Sequence, residues 1–129
     1  MTASASALDR LRHALPSDTE RSPQHYLLDG VPPAIAFAPT DPAEVATLLH
    51  AAAEGGLAVA PLGARIATAL GRPLARYDVA LDLRGLDRVI EYVPEDLVTT
   101  TQAGVTLRTL QTTLHEHGQY LSVDPPPGD

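Results

Sequence analysis

Between Pro61 and Pro73 the sequence reads PLGARIATALGRP, with Gly63 and Gly71 following a short apolar run that ends at Pro61. A glycine turn that leaves a strand can aim several backbone amides at one point, and such a concave nest suits a phosphate or diphosphate. The same glycines could instead serve a plain strand-exit turn that needs positive φ. Ala64, Arg65 and Ile66 are bulkier than an amide cradle normally carries. On spacing alone the plain turn is favoured, since short glycine motifs are common by chance.

Other chemistry-bearing residues form no working set. His115 and His117 stand two apart, about 200° round a helix, so they cannot share a metal ion. With Gly118 ending that helix, they read as cations near a helix C-terminus, favourable with its dipole. His13, His25 and His50 have no partner pattern. Asp82, Asp87, Glu91, Glu95 and Asp96 are close in sequence, but strand alternation sends neighbours to opposite faces. They are expected to be a solvated rim and turn residues. The Thr99-Thr100-Thr101 run reads as a half-exposed strand. No serine sits in a nucleophile turn, and the absence of cysteine and lysine removes thiolate and Schiff-base chemistry. No catalytic residue and no metal site is therefore expected.

The elements that must position the glycine loop belong to a chain of 129 residues, 44% hydrophobic and 19% charged, as expected of one globular domain. A net charge of −7 argues against nucleic acid as a partner. No apolar run is long enough to span a membrane, and the first residues lack a signal peptide's apolar core. A cytoplasmic location is the default expectation.

Leu8, Leu11 and Leu15 recur at helical spacing, so an amphipathic helix opens the chain. Segment 16–33, with four prolines, is expected to be irregular and mobile. AIAFAP (34–39) reads as a buried strand. In TDPAEVATLLHAAAEGG, Asp41 is the expected N-cap, Pro42 suits the first helical position, and Glu44 completes a capping box. Val45, Leu48, Leu49 and Ala52 form the apolar stripe, and Gly55-Gly56 stops the helix. LAVAP (57–61) follows as a second strand. Strand, helix, strand is a βαβ unit, which implies parallel pairing and places the glycine loop at the carboxyl end of the second strand. DVALDL (78–83) is a third strand. RVIEYVPEDLVTTTQAG reads as a hairpin around Pro94-Glu95-Asp96, and Thr106 caps a helix carrying Leu107, Leu110 and Leu114.

Taken together, PTDPAEVATLLHAAAEGGLAVAPLG, then Gly71 and Pro73, then DVALDLRGLDRVIEYVPEDLVTTTQAGVTLRTLQTTLHEHGQYLSVDPP resemble the amino-terminal FAD-binding module of the vanillyl-alcohol oxidase/p-cresol methylhydroxylase type. Within that type the likeness is greatest to the FAD-binding subunit of bacterial glycolate oxidase. It covers about Ala34 to Pro127.

The resemblance implies an α/β (α+β) fold: a small parallel βαβ-based sheet with flanking helices plus a β-hairpin, the first subdomain of such an FAD-binding domain. Residues 1–33 would be a helix and approach segment, and 34–129 a truncated subdomain. By resemblance, Pro61, Leu62, Gly63, Ala64, Arg65, Ile66 and Ala67 would form the loop that grips the FAD diphosphate, and Gly71 would close it. Asp124, Pro125 and Pro126 would belong to a stretch that passes beside the cofactor. No histidine lies in the loop, so no covalent flavin link is expected.

Three departures accompany the likeness. Where the family reads Gly-Gly-Gly-Thr or Gly-x-Gly-Thr, this chain reads Gly63-Ala64-Arg65-Ile66. Arg65 either compensates as a bidentate diphosphate ligand or blocks the groove. The sequence stops before the family's second FAD subdomain and before its cap domain, so the chain alone is expected to be incomplete as an enzyme. The implied function is part of a glycolate-oxidase-like flavoprotein acting on 2-hydroxy acids. The alternative is a flavin-free relic serving as an interaction or scaffold module. The expected partner is either a second copy of the chain or a subunit supplying the missing subdomain and cap, with an iron–sulfur subunit implied by family.

Overall fold

A computed structural model describes residues 4–68 and 70–123. Its first helix, α1 (Ala5–Ala14), buries Ala7 and Leu11. Segment 16–33, expected to be irregular, contains two single 3₁₀ turns and a two-residue strand, β1 (Glu20–Arg21). β2 (Ile35–Phe37) follows, and all three of its residues are buried.

Helix α2 (Pro42–Glu54) begins as its sequence dictates. The Asp41 carboxylate accepts the Ala43 amide at 2.7 Å, and Glu44 reaches back to the Asp41 amide at 3.3 Å. These bonds satisfy amides that the first helical turn leaves without partners. The core-facing stripe is Leu48 and Ala52, with Val45 and Ala51 partly buried beside them. Leu49 does not join it and is 46% exposed. It lies about 100° round the helix from Leu48, beyond the edge of the buried stripe.

β3 (Val59–Leu62) and β4 (Val79–Asp82) complete a four-stranded sheet of order β1-β2-β4-β3. β2, β4 and β3 run parallel, and β1 is antiparallel to β2. The strands joined by α2 are therefore parallel but do not pair with each other; β4 lies between them. The position suits its sequence, because VALD is buried along its whole length, as a strand covered on both faces should be. β3 takes the edge, where Pro61 opposite Leu81 removes no inner ladder bond.

Alternation along the strands divides the core. Ile35, Phe37, Val79 and Leu81 face one way and pack with Leu11, Leu48 and Ala52 of the two helices. Ala36, Ala80 and Leu62 face the other way, where Tyr26 covers them with Leu28 and Tyr77. The approach segment thus supplies the second layer over the sheet.

The hairpin is β5 (Val89–Val93) and β6 (Val98–Thr101), joined through Pro94–Asp96 and Leu97, whose φ is 57°. It is fastened at its base, where the Arg88 amide donates to Gln102 Oε1 and the Gln102 amide to the Arg88 carbonyl, both at 2.9 Å. Helix α3 (Leu107–His115) follows, its N-cap Thr106 accepting the Thr109 amide at 3.1 Å. Gln119 beyond it donates to the Pro94 carbonyl at 2.8 Å and accepts the Tyr92 hydroxyl at 2.7 Å.

Candidate functional site

The parallel register sets Leu62 of β3 opposite Asp82 of β4, so both strands deliver their following loops to one carboxyl edge. Open α/β sheets bind ligands at that edge. The β3 loop leaves there. Its ladder closes where the Leu83 amide donates to the Leu62 carbonyl at 2.9 Å, and backbone bonding resumes where the Leu70 amide donates to the Ala67 carbonyl at 3.0 Å. Among the described residues, the amides of Gly63, Ala64, Arg65, Ile66 and Ala67 donate to no other group. Residues 61–68 line a shallow, open hollow of about 380 Å³. Arg65 sits in the left-handed region, at φ 63°. A turn bent by a left-handed residue, with a run of amides that have no acceptor, leaves donors free for an anion.

The side chain of Arg65 is occupied elsewhere. Its guanidinium donates to the His25 carbonyl and lies over the Tyr26 ring, 5.4 Å from the ring centroid. The group that a bidentate phosphate contact would use is thus engaged by the approach segment.

A second hollow of about 440 Å³ adjoins the first and shares Gly63 and Ala64 with it. Its lining includes the segment that enters α3, from Ala103 to Leu107, together with Arg84 and Asp87. Gly104 makes this lining possible. A Cβ there would stand 2.2 Å from the Leu83 carbonyl oxygen and 2.8 Å from both the Arg84 Cα and the Leu86 carbonyl oxygen. Only glycine permits the α3 entry to press against the β4 exit this closely.

Arg84, which lines the second hollow, is bonded to a buried polar pair, Asp82 and Tyr26. Asp82, expected on a solvated rim, is 3% exposed. Its carboxylate accepts the Tyr26 hydroxyl at 2.9 Å, the Arg84 amide at 3.0 Å, and the Arg84 side chain through Nε at 3.0 Å and Nη2 at 2.7 Å. Burial by itself would raise the Asp82 carboxyl. The Arg84 side-chain and backbone bonds and the Tyr26 hydroxyl outweigh it and hold the group below the usual carboxylate range. Burial, followed by the bond to Asp82, pushes the Tyr26 phenol up. The Tyr77 hydroxyl donates to the Tyr26 carbonyl at 2.8 Å, and burial pushes Tyr77 up to about 12.

The residues singled out in the sequence fall into three groups. Pro61, Leu62, Gly63, Ala64, Arg65, Ile66 and Ala67 are brought together around the first hollow. Gly71 is exposed at φ 101° and lies in the wall of neither hollow. Asp124, Pro125 and Pro126 lie outside the described residues. His115 ends α3, and His117 meets the Tyr92 ring edge-on at 5.3 Å. Among the described residues no cluster of three His, Asp or Glu could hold a metal ion. Glu91, Glu95 and Asp96 are exposed, as expected. Sequence reasoning missed Tyr26. A lone tyrosine in a proline-rich segment carries no spacing signal, because its partner Asp82 is 56 residues away.

Residues 33–129 match the family described as FAD binding domain. No match was found among curated proteins. Among solved structures, p-cresol methylhydroxylase with substrate bound superposes with a TM-score of 0.70 at 20% identity, over 88% of this chain and 25% of that one. An alkyldihydroxyacetonephosphate synthase gives 0.74 at 20% identity, over 95% of this chain and 26% of that one. The 4-ethylphenol oxidase from Gulosibacter chungangensis gives 0.70 at 19% identity, over 94% and 26%. The mostly parallel sheet with its hairpin is thus a fold these proteins share. The chain spans about a quarter of their length.

Proposed function

The chain belongs to the FAD binding domain family, and on that premise we propose that it grips the diphosphate of FAD with the loop leaving β3. The observation that carries this reading is the run of five amides, Gly63 to Ala67, that donate to no described residue, in a loop that lines a shallow open hollow. The residues present fit the group. The contacts required come from the backbone, so the replacement of glycine by Ala64 and Arg65 keeps the donors. Arg65 keeps its guanidinium on the His25 carbonyl. FAD, when bound, supplies a hydride acceptor; this chain supplies orientation and anion binding. Titration of the protein with FAD at micromolar concentration, read by flavin fluorescence, tests the reading: saturable quenching supports it, and no change up to millimolar FAD sinks it.

The finer assignment is part of a glycolate-oxidase-like flavoprotein that oxidises 2-hydroxy acids. Its support is the sequence likeness running from Ala34 to Pro127. In this reading the substrate is oriented by residues other than those described here, supplied by a cap, and an iron–sulfur subunit takes the electrons in a cytoplasmic assembly. Anaerobic addition of a 2-hydroxy acid to the flavin-loaded assembly should bleach the flavin absorbance; a spectrum left unchanged by every 2-hydroxy acid tried would remove the substrate class while leaving the cofactor reading intact.

A second reading is a flavin-free interaction module, acting through self-association or a partner subunit. It draws on the apolar side chains that the hairpin and the following segment expose, among them Ile90, Leu97, Val98 and Tyr120. A protein that ignores FAD yet forms a concentration-dependent dimer would favour it.

A further inference from the structure

Arg65 stands where the chain bends through positive φ, a conformation that costs an ordinary residue on the order of 1 kcal/mol. Glycine would adopt it freely, so something must hold the arginine there. The guanidinium is held twice, by the His25 carbonyl and by the face of Tyr26. A cation over an aromatic face at this distance is attractive, more so where water is excluded. The support is itself buried and hydrogen-bonded. Tyr26 is 4% exposed, its hydroxyl is fixed on Asp82 at 2.9 Å, and its carbonyl accepts the Tyr77 hydroxyl at 2.8 Å. Asp82 is in turn gripped by Arg84 from the adjoining hollow.

We propose that Arg65 and Tyr26 are positioning residues for the β3 loop. The side chain of Arg65, tied to the approach segment at His25 and Tyr26, holds the loop that carries the amides of Gly63 to Ala67 in one conformation before any ligand arrives. Neither residue needs to touch the ligand. The approach segment, outside the glycine loop, is then the part of the chain that sets the loop's order. A preorganised cradle loses less freedom on binding, so the clamp raises affinity without adding a contact. The consequence for cofactor affinity rests on the reading of this loop as a diphosphate cradle; the consequence for loop order does not.

Backbone ¹⁵N relaxation on the ligand-free 129-residue protein tests the clamp. In the wild type the amides of Ala64 to Ala67 should be rigid, with order parameters of about 0.85. Arg65→Asn keeps a residue that tolerates positive φ but cannot reach His25; its loop order parameters should fall below about 0.6 while those of β4 stay unchanged. Arg65→Lys, which keeps a cation to lie over Tyr26, should restore part of the order. Tyr26→Phe should keep more loop order than Tyr26→Leu, because only the former keeps the ring. Loop order in Arg65→Asn equal to wild type overturns the proposal. FAD titration separates the two ideas: a tenfold or greater loss of affinity in Arg65→Asn supports the clamp's effect on binding, and an equal affinity overturns that effect. If the wild type ignores FAD while the order parameters fall as described, the cofactor reading fails and the clamp stands.

Discussion

The Tyr26 hydroxyl donates to Asp82 Oδ2 at 2.9 Å, joining the approach segment to the carboxyl end of β4 across 56 residues. Both groups are buried, so the bond has little competition from water. Tyr26→Phe should cost about 1 to 2 kcal/mol and Asp82→Asn about 2 to 3, the larger because Arg84 also loses its charged acceptor. Urea denaturation of the two variants checks the order; equal and negligible losses would contradict it.

The same cluster sets an acid limit on stability. The Asp82 carboxyl is held below its ordinary range in the fold, so the unfolded chain takes up its proton first. Its contribution is present above the ordinary carboxylate value of about 4 and is lost as pH falls through the lower folded value. Denaturation midpoints should drop from pH 5 toward pH 2.5, and Asp82→Asn should flatten that drop.

At the alkaline end the sign reverses. Tyr77 is raised to about 12, so the fold favours the protonated phenol. Its contribution is complete below the ordinary value of about 10 and is lost as pH rises toward 12. Tyr77→Phe should lower stability at neutral pH, through the lost bond to the Tyr26 carbonyl, and should weaken the dependence on pH above 10. Melting curves at pH 8 to 11 would show both.

Gly104→Ala should be far more damaging than its size suggests. The new methyl would stand 2.2 Å from a backbone oxygen, and neither the β4 exit nor the α3 entry can yield cheaply. A loss of about 3 kcal/mol or more is expected, with the wall of the second hollow displaced. A variant as stable as wild type would show that the two segments do not pack as described.

Leu97 offers the opposite outcome. It is 75% exposed and holds φ 57°, a poor conformation for a bulky side chain. Leu97→Asn should stabilise the hairpin by about 1 kcal/mol. The same change removes an exposed apolar group, so light scattering should also show less association in any self-associating sample.

Local chemistry was legible in the sequence wherever it was complete within a few residues. Asp41, Pro42, Glu44 and Gly55 define α2 because caps act over one turn, and Pro94-Glu95-Asp96 marks the hairpin for the same reason. The position of the β3 loop followed from the order of elements around it. Strand order did not, since nothing near VALD says that β4 inserts between β2 and β3; its burial on both faces decides that. Two-residue β1 is too short for any periodic signal. Asp82 looked like a rim carboxylate because its neighbours alternate, and only the distant Tyr26 and the adjacent Arg84 explain its burial. From the loop sequence alone, Arg65 reads as either a ligand or an obstruction. Its tie to His25 and Tyr26 gives it a third part, which spacing within the loop could not express.

If the amides of Gly63 to Ala67 hold a diphosphate, as proposed, their chemical shifts will report it. Titration of ¹⁵N-labelled protein with FAD should move the resonances of these five residues together and saturably, while riboflavin, which lacks the diphosphate, should leave them in place. FAD that shifts none of them, or riboflavin that shifts them equally, would show that this loop is not a diphosphate cradle.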